Sequence, residues 1–471
     1  MHTKHQLVAV RTATLGQHRG APRIWLEGQM PARAGFLPGV KFRLSADTGG
    51  LRVTLSVHEE GCRTVSRKER GGRELPVLDI NSAEALAVLA GFKQIRVVFM
   101  DGEIHLLPDA VEARQKERMA RLKAELDEGR LSVGSVSHGA GILSHALHTG
   151  LEDEGIRSDL RFAVDIDPDA LEVAAANNSA WTPRTQAIAM PVQILALADH
   201  YVAGKLPAVS VLEAGLPCTA ASVSGRSKKG LKQAEDDGKA GHLVAAFIAM
   251  IGRLNPAVVL LENVRPYFNT ASAAILRTQL RELGYDVQER DLDGQDYAIE
   301  ARPRRVLLGV TEGIEINLEA MVAPPRAVQT IGEILDDVPL DDEQWREVSY
   351  LKEKEKADKA AGKGFSMQLI ESCGTRVGTI GAGYQKARST EPRLVHPVNS
   401  ELSRLFTPVE HARLKGIPAE LIRGVDSKTT AHELLGQSVI WPAFRHVGQV
   451  VGRALAALSQ RPSSMDEAVA A

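Results

Sequence analysis

Short runs of alternating hydrophobic and polar residues occur within the first 108 residues of this 471-residue chain, and the pattern changes after residue 130. Runs such as VKFRLSA and LRVTLSV place an apolar residue at every second position, which is typical of half-buried β-strands. From Leu131 onward, short apolar runs are each followed by a helix-like stretch, as in LSVGSV and ILSHALHTGL. The first region is therefore predicted to be β-rich, and the second to be an α/β fold with a doubly wound, mostly parallel sheet.

An internal repeat occurs in the β-rich region, residues 1–108. AGFLPGVKFRLSADTGGLRVTLS starts at Ala34, and AGFKQIRVVFMDGEIHLLP starts at Ala90. Each copy contains Ala-Gly-Phe, a basic strand, a glycine-containing turn and a second strand, which predicts two related hairpins in a pseudo-symmetric small barrel. This region resembles the swapped-hairpin domains of bacterial SymE-like toxins and their DNA-binding relatives. A β-rich accessory domain without DNA contacts remains the alternative.

The stretch PDAVEARQKERMARLKAELDEG links the two regions. Pro108 suits a helix start, Gly129 suits a helix end, and strong helix formers lie between them. Because its charges alternate in sign, the segment 109–129 is predicted to be a solvated connector helix.

Composition limits the class of protein. The chain is long enough for two or three domains, no apolar run is long enough to span a bilayer, and the N-terminus does not resemble a signal peptide. Cys62, Cys218 and Cys373 match neither a disulfide framework nor a zinc site, and no metal is expected, so a cytoplasmic setting is predicted. With 57 Lys and Arg residues against 59 Asp and Glu residues, any nucleic-acid surface must be local.

Glycine and acidic residues stand at the ends of the first two strands predicted in the α/β region. Gly139 and Gly141 in SVSHGAG precede a helix, where a ligand can approach the backbone and meet free N–H groups. Asp165 ends the strand RFAVD, where a carboxylate can accept hydrogen bonds from ribose hydroxyls. Tight turns and helix caps use the same residue types, so both interpretations stay open.

The following strand ends carry groups suited to covalent and acid–base chemistry. Cys218 in EAGLPCTAAS is either a nucleophile or a small buried hydrophobic residue. Glu262 in VVLLENV can share a proton with a ligand nitrogen, or it can cap the next helix. Arg302 and Arg304 in EARPRR can bind a phosphate or a carbonyl oxygen, or they can keep a strand edge soluble.

In their order along the chain, these motifs resemble those of the DNA (cytosine-5) methyltransferase family. The resemblance covers nearly all of residues 131–458, and it includes the C-terminal stretches RLFTPVEHARLKGIP and LLGQSV. The Pro-Cys and Glu-Asn-Val motifs together make it specific. It implies a class I, Rossmann-like fold that uses S-adenosylmethionine to methylate C5 of a cytosine flipped out of double-stranded DNA.

The family's site residues can be carried over to matching positions. Cys218 would attack C6 of the base, Glu262 would hold or protonate N3, Arg304 would contact O2, and Arg302 would orient the catalytic groups or a phosphate. The implied cofactor-binding residues are Ser137, His138, Gly139, Ala140, Gly141, Asp165, Ile166, Asp199 (on the adenine side), Pro217, Leu243, Gln437 and Ser438. The implied DNA-binding residues are Ser222, Arg226, Lys228, Lys229, Lys386 and Arg388, of which the loop GRSKKGLK carries three.

Four positions depart from the family's pattern. Ser137 replaces an aromatic residue, Thr219 and Glu300 each replace a glutamine, and Gln437 replaces an asparagine. None of these changes removes a group that makes or breaks a bond. Their effects on cofactor affinity and on the catalytic loop are left open.

The resemblance also implies a domain order. A catalytic core at 130–324 is followed by a target-recognition region at 325–400, by closing motifs at 401–460 that return to the core, and by a flexible tail at 461–471. A separate restriction endonuclease as partner, an RNA substrate, and a DNA-binding regulator with an inactive methyltransferase fold are open alternatives.

Overall fold

The structure is a computed structural model that describes residues 6–217, 221, 230–362 and 366–459. The chain divides into two compact units, Met1–Glu117 and Arg118–Ala471. The predicted flexible tail at 461–471 lies outside the described residues. Within the described part of the chain, no helix is both long and apolar enough to cross a membrane.

The first unit contains two antiparallel sheets. One has the strand order β1-β9-β10-β5-β4-β6, and the other has the order β2-β3-β8-β7. The strands are β1 (Leu7–Thr14), β2 (Gly16–His18), β3 (Ala21–Glu27), β4 (Lys41–Asp47), β5 (Arg52–Val57), β6 (Arg63–Thr64), β7 (Ser66–Arg70), β8 (Arg73–Ile80), β9 (Gln94–Met100) and β10 (Glu103–Pro108), with short helices α1 (Gln29–Arg33) and α2 (Ala83–Leu86).

The two copies of the sequence repeat form neighbouring hairpins, β4–β5 and β9–β10, and β5 pairs with β10. Alternate residues of β9, namely Ile95, Val97 and Phe99, are fully buried. The period-two pattern that predicts these strands therefore matches the face that packs in the core of this unit. The resemblance to SymE-like domains stays a prediction.

Helix α3 (Ala110–Asp127) begins after Asp109, whose carboxylate accepts hydrogen bonds from two N–H groups of its first turn. The predicted solvated surface does not extend around the whole helix. Arg118 and Leu122 are buried, and the Arg118 guanidinium donates to Thr311 Oγ1 at 2.8 Å and to Gly284 O at 2.7 Å. The charge pattern of the helix concealed this contact, because the acceptors lie far away along the chain.

The second unit is built on a seven-stranded sheet of order β13-β12-β11-β14-β15-β17-β16. Neighbours from β13 to β15 pair in parallel, and β17 runs antiparallel to both of its neighbours. The predicted α/β fold with a mostly parallel sheet is confirmed. The strands are β11 (Leu131–Val136), β12 (Ser158–Asp165), β13 (Gln186–Ala189), β14 (Val211–Ala214), β15 (Val258–Asn263), β16 (Tyr285–Leu292) and β17 (Arg304–Thr311).

Helices cover this sheet, and a smaller sheet follows it. The helices are α4 (Ile142–Asp153), α5 (Pro168–Asn177), α6 (Val192–Leu197), α7 (His200–Ala203), α8 (Leu243–Leu254), α9 (Ala271–Glu282), α10 (Ser349–Ala360), α11 (Pro408–Leu414), α12 (Lys428–Gln437) and α13 (Trp441–Ser459). The smaller sheet has the order β18-β21-β20-β19, from β18 (Arg346–Glu347), β19 (Gln368–Ile370), β20 (Pro392–Val395) and β21 (Leu402–Arg404).

The C-terminal helix α13 packs closely against α4, the helix that follows the first strand of the core. A Cβ atom on Gly448 would lie 2.6 Å from Leu147 O, and one on Gly150 would lie 2.0 Å from Arg445 O. The absence of side chains at these two glycines lets the backbones touch. Helix α13 is thereby fixed beside the start of the α/β core.

Candidate active site

The carboxyl ends of three adjacent strands, β11, β14 and β15, meet at one edge of the main sheet. A Cβ atom on Gly215, directly after β14, would lie 3.8 Å from Ser137 O and 3.8 Å from Glu262 Oε2. The glycine loop and the Glu-Asn-Val motif, which are far apart in sequence, therefore face each other across Gly215. Ligands of open α/β sheets bind at this edge.

The glycine loop between β11 and α4 has a left-handed backbone at three positions. Ser137, Gly139 and Gly141 have φ values of 55°, 54° and 74°. A Cβ atom on Gly139 would contact nothing within 4 Å, so open space adjoins the backbone there. Gly139 N donates to Asp165 Oδ2 at 2.7 Å, which joins the loop to the predicted ribose-binding carboxylate.

His138 and Ala140 point into the protein. The His138 ring hydrogen-bonds through Nδ1 to Ser135 Oγ at 2.7 Å, and Trp181 Nε1 donates to its Nε2 at 3.3 Å. Burial lowers the pKa of His138 to about 3, so the ring is neutral at physiological pH. These contacts suit a residue that holds the loop in shape rather than one that touches a cofactor through its side chain.

Three other predicted cofactor residues have different surroundings. Ile166 is 70% exposed next to Asp165 and is accessible to a ligand. Asp199 lies beyond helix α6, and its carboxylate caps α7 by accepting a hydrogen bond from Val202 N. Leu243 is buried at the start of α8, within the hydrophobic core.

Glu262 and Arg304 form an ion pair at the edge described above. Arg304 Nε lies 2.8 Å from Glu262 Oε1, and both side chains are about nine-tenths buried. This contact follows from the register of β15 and β17, in which Glu262 is paired with Val306, close to Arg304. The sequence predicts both residues for the site, and the structure brings them together.

Asn263 connects the Glu-Asn-Val motif to the Pro-Cys loop. Its buried side chain donates from Nδ2 to Leu216 O at 3.1 Å and accepts at Oδ1 from Val264 N at 2.8 Å. Leu216 directly precedes Pro217, which is exposed. The start of the Pro-Cys loop is thereby tied to β15.

Several predicted residues cannot be placed. Cys218 and the DNA-binding candidates Ser222, Arg226, Lys228 and Lys229 lie outside the described residues, as does the departure at Thr219. Their roles stay predictions.

Arg302 and the last motif lie together. Arg302 is buried, with Nη2 donating to Gly436 O at 2.8 Å and Nη1 to Ile380 O at 3.3 Å. Gln437, at the end of α12, is exposed, and Ser438 is half-buried and caps that helix. Arg302 thus binds main-chain carbonyls inside the protein, a geometry that favours the orienting role over contact with a phosphate.

The two remaining DNA-binding candidates, Lys386 and Arg388, are both exposed. They stand at the end of the glycine-rich segment 377–388, whose backbone pairs with the Arg-x-Arg motif through an isolated bridge between Glu300 and Val377. Their side chains are therefore available to a partner.

The model of the family described as C-5 cytosine-specific DNA methylase matches residues 133–453 of this chain. The chain belongs to this family. It is 29% identical over 266 residues to the type II methyltransferase M.NlaX of Neisseria lactamica, covering 54% of this chain and 80% of that protein. It is 27% identical over 299 residues to a DNA-cytosine methyltransferase of Escherichia coli (strain K12), covering 54% of this chain but only 62% of that protein.

Solved structures share the fold of this methylase. The Dnmt2 methyltransferase of S. pombe superimposes with a TM-score of 0.54 at 19% identity, covering 70% of this chain and 99% of that one. The methyltransferase EhMeth of Entamoeba histolytica gives a TM-score of 0.53 at 17% identity, covering 68% and 98%. The resemblance drawn from the sequence motifs is confirmed at the level of family and fold.

Two buried residues of the methylase site escaped the sequence analysis. Asn263 stands in a motif that the sequence singled out, but its bond to the Pro-Cys loop has no signal in the sequence. Glu213 lies in β14, pairs in register with Ser135, and is 1% exposed. Burial raises the pKa of Glu213 to about 7, and hydrogen bonding to Ser135 offsets this only in part. An acid inside an otherwise apolar strand, VSVLEA, was the available signal.

Proposed function

We propose that this chain transfers a methyl group from S-adenosylmethionine to C5 of a cytosine in duplex DNA, with Cys218 as the covalent nucleophile. The observation that carries the proposal is the Glu262–Arg304 ion pair, which lies at the same sheet edge as the anchored start of the Pro-Cys loop. A paired carboxylate and guanidinium at that point suit a heteroaromatic ring whose charge changes during reaction.

The cofactor side of the edge fits S-adenosylmethionine. Each Asp165 oxygen accepts one backbone N–H, from Gly139 and Asp167, and keeps a lone pair for ribose hydroxyls. The open space beside Gly139 lets a ligand approach the backbone. When bound there, S-adenosylmethionine supplies an electrophilic methyl group.

The residues of the chain then act on the base. The Cys218 thiolate would add to C6 and form an S–C6 bond as the C5–C6 π bond opens, which makes C5 electron-rich enough to accept the methyl group. The bond between that methyl group and the cofactor sulfur would break in the same step, with S-adenosylhomocysteine as the leaving group. Glu262, in its protonated form, would give its proton to N3 as charge moves into the ring and would take it back when the S–C6 bond breaks, and Arg304 would contact O2 and neutralise the charge that develops there. Loss of the C5 proton to a base and breakage of the S–C6 bond regenerate the thiolate and release 5-methylcytosine.

DNA must deliver its cytosine to this edge from outside the stack. Flipping a base costs a few kcal/mol, which contacts to the backbone and the emptied duplex have to offset. Ser222, Arg226, Lys228 and Lys229 in the loop after the Pro-Cys motif, together with Lys386 and Arg388, are the proposed contacts. The target sequence would be read from the region 325–400, whose side chains can reach base edges.

The test uses the full chain with methyl-labelled cofactor, incubated separately with duplex DNA and with RNA. Label in DNA supports the proposal, and label in RNA alone would refute the proposal that duplex DNA is the substrate. Cys218→Ala is expected to abolish transfer, whereas Cys373→Ala, which removes a cysteine that is free and exposed, is the matched control and is expected to keep it. Transfer by Cys218→Ala would refute the covalent mechanism, and no transfer by the wild type to any substrate would favour a regulator.

A further inference from the structure

Four side chains that can carry charge form a buried cluster behind the Arg-x-Arg motif. Glu300, His411 and Lys415 are completely buried, and Arg302 is 4% exposed. They come from three parts of the chain: the stretch before β17, helix α11, and the turn that follows α11. Charged residues are almost never fully buried unless they have partners, so the cluster has a specific arrangement.

Glu300 is the centre of this cluster. Its Oε1 accepts from Ile380 N at 3.2 Å and lies 3.5 Å from Arg302 Nη1. Its Oε2 lies 3.5 Å from Lys415 Nζ and 3.9 Å from His411 Nε2. Glu300 is also one of the positions where this chain departs from its family, which has glutamine there. The carboxylate therefore gives Arg302 a negative partner that an amide would not supply.

Burial affects the ionisation of the other two members of the cluster, Lys415 and His411. Burial, and then the neighbouring guanidinium of Arg302, hold the pKa of Lys415 well below its ordinary value. Burial likewise holds the pKa of His411 well below its ordinary value. Burial therefore disfavours the charged form of both groups, while Glu300 Oε1 and Arg302 Nη1 form an ion pair at 3.5 Å. A buried pair of this kind fixes geometry, because each partner loses its counter-charge if the other moves.

Arg302 connects the cluster to two other segments of the chain through hydrogen bonds. It donates to Ile380 O in the segment 377–388 and to Gly436 O at the end of α12. The same segment is held by Thr379 Oγ1, which donates to Ala301 O at 2.6 Å. Arg304, two residues beyond Arg302, makes the ion pair with Glu262. The cluster thus joins the segment that carries Lys386 and Arg388 to the catalytic edge.

We propose that Glu300 and Arg302 are positioning residues that hold Arg304 against Glu262 when the segment 377–388 engages DNA. This inference rests on the proposed function. It also assigns a role to the carboxylate of Glu300, which stands where the family has an amide. This carboxylate helps to hold Arg302 between the main-chain carbonyls of Ile380 and Gly436.

The experiment compares Glu300→Gln and Arg302→Lys with wild type at saturating DNA and cofactor. Glu300→Gln keeps an acceptor for Ile380 N but loses the charge, and Arg302→Lys keeps the charge but loses the planar fork that reaches two carbonyls. Each is expected to lower kcat by about tenfold or more, while the KM for S-adenosylmethionine stays within about twofold, since only the catalytic edge is displaced.

Glu410→Gln is the matched control, because Glu410 forms another buried ion pair, with Arg404 at 2.7 Å. It is expected to lower Tm but to keep kcat within about twofold. Rates are measured well below the Tm of each variant, and Arg302→Lys, which keeps its charge, remains informative if Glu300→Gln does not fold.

The outcomes separate the two proposals. Inactive wild type refutes the proposed function. If the wild type is active and the kcat values of Glu300→Gln and Arg302→Lys are no lower than that of Glu410→Gln, the positioning role is overturned. It is also overturned if the two variants change only in Tm or in DNA affinity. A selective loss of kcat supports it.

Discussion

Replacing Asn263 with alanine tests how the loop that carries Pro217 and Cys218 is held. The Asn263 side chain is 1% exposed and makes one bond to Leu216 O, at 3.1 Å, and one to Val264 N, at 2.8 Å. Alanine leaves a carbonyl and an N–H group without these partners in a buried site, and each unpaired group costs about 1–3 kcal/mol. The loop can relieve part of this cost by moving away from β15.

A displaced loop would carry Cys218, the proposed nucleophile, out of line with the base. If about 1.4–2.8 kcal/mol of the lost bonding appears in the transition state, kcat falls about 10–100-fold. The assay is methyl transfer to duplex DNA at saturating cofactor, with Tm measured in parallel. Asn263→Asp keeps an acceptor for the neighbouring N–H but removes the donor to Leu216 O, and it is expected to lose nearly as much kcat as the alanine variant.

Asn178→Ala is the matched comparison, because Asn178 is another buried asparagine with one donated and one accepted main-chain bond. It donates to Gly141 O at 3.0 Å and accepts from Ala180 N at 2.9 Å, so it supports the glycine loop instead. It is expected to raise the KM for S-adenosylmethionine about tenfold with kcat nearly unchanged. Equal effects of Asn178→Ala and Asn263→Ala on kcat and on KM would refute the separate roles.

Three further changes concern stability. Burial raises the pKa of Glu213 from 4.5 to about 7. The buried neutral acid therefore contributes fully to the stability of the folded protein below about pH 4.5, and this contribution is lost as the pH rises through 7. Glu213→Gln should therefore be about 3 kcal/mol more stable than wild type at pH 8 in urea titrations, and a constant difference between pH 4 and pH 8 would contradict this. Arg118→Met leaves buried acceptors of the guanidinium without a donor and should lower the free energy of unfolding by about 3 kcal/mol. Lys123→Met, at an exposed position of the same helix, should change that free energy by less than about 0.5 kcal/mol. Gly448→Ala forces a Cβ against backbone and should cost about 1–3 kcal/mol, whereas Gly252→Ala, with open space and a helical position, should stabilise by about 0.5–1 kcal/mol in the same titration.

The main features of the α/β unit could be predicted because they are local. An apolar run that stops at a glycine or an acid marks both the strand and its end, and parallel strands place those ends at one edge. Asp165 and Glu262 were predicted for the site on this basis, and both lie at that edge. The hairpins at the two Ala-Gly-Phe copies are local features of the same kind.

Contacts between polar groups far apart along the chain could not be predicted. Arg118 lies in a helix of alternating charges that reads as solvated, and its burial depends on acceptors more than 160 residues later. Glu300 differs from the glutamine expected in its motif, and the role of its carboxylate depends on Lys415 and Arg302, which the fold brings beside it. A pattern of residue types records how polar a segment is, but the free energy of a buried charge is set by its partner. Departures from a family motif are therefore best interpreted together with the side chains that the fold places against them.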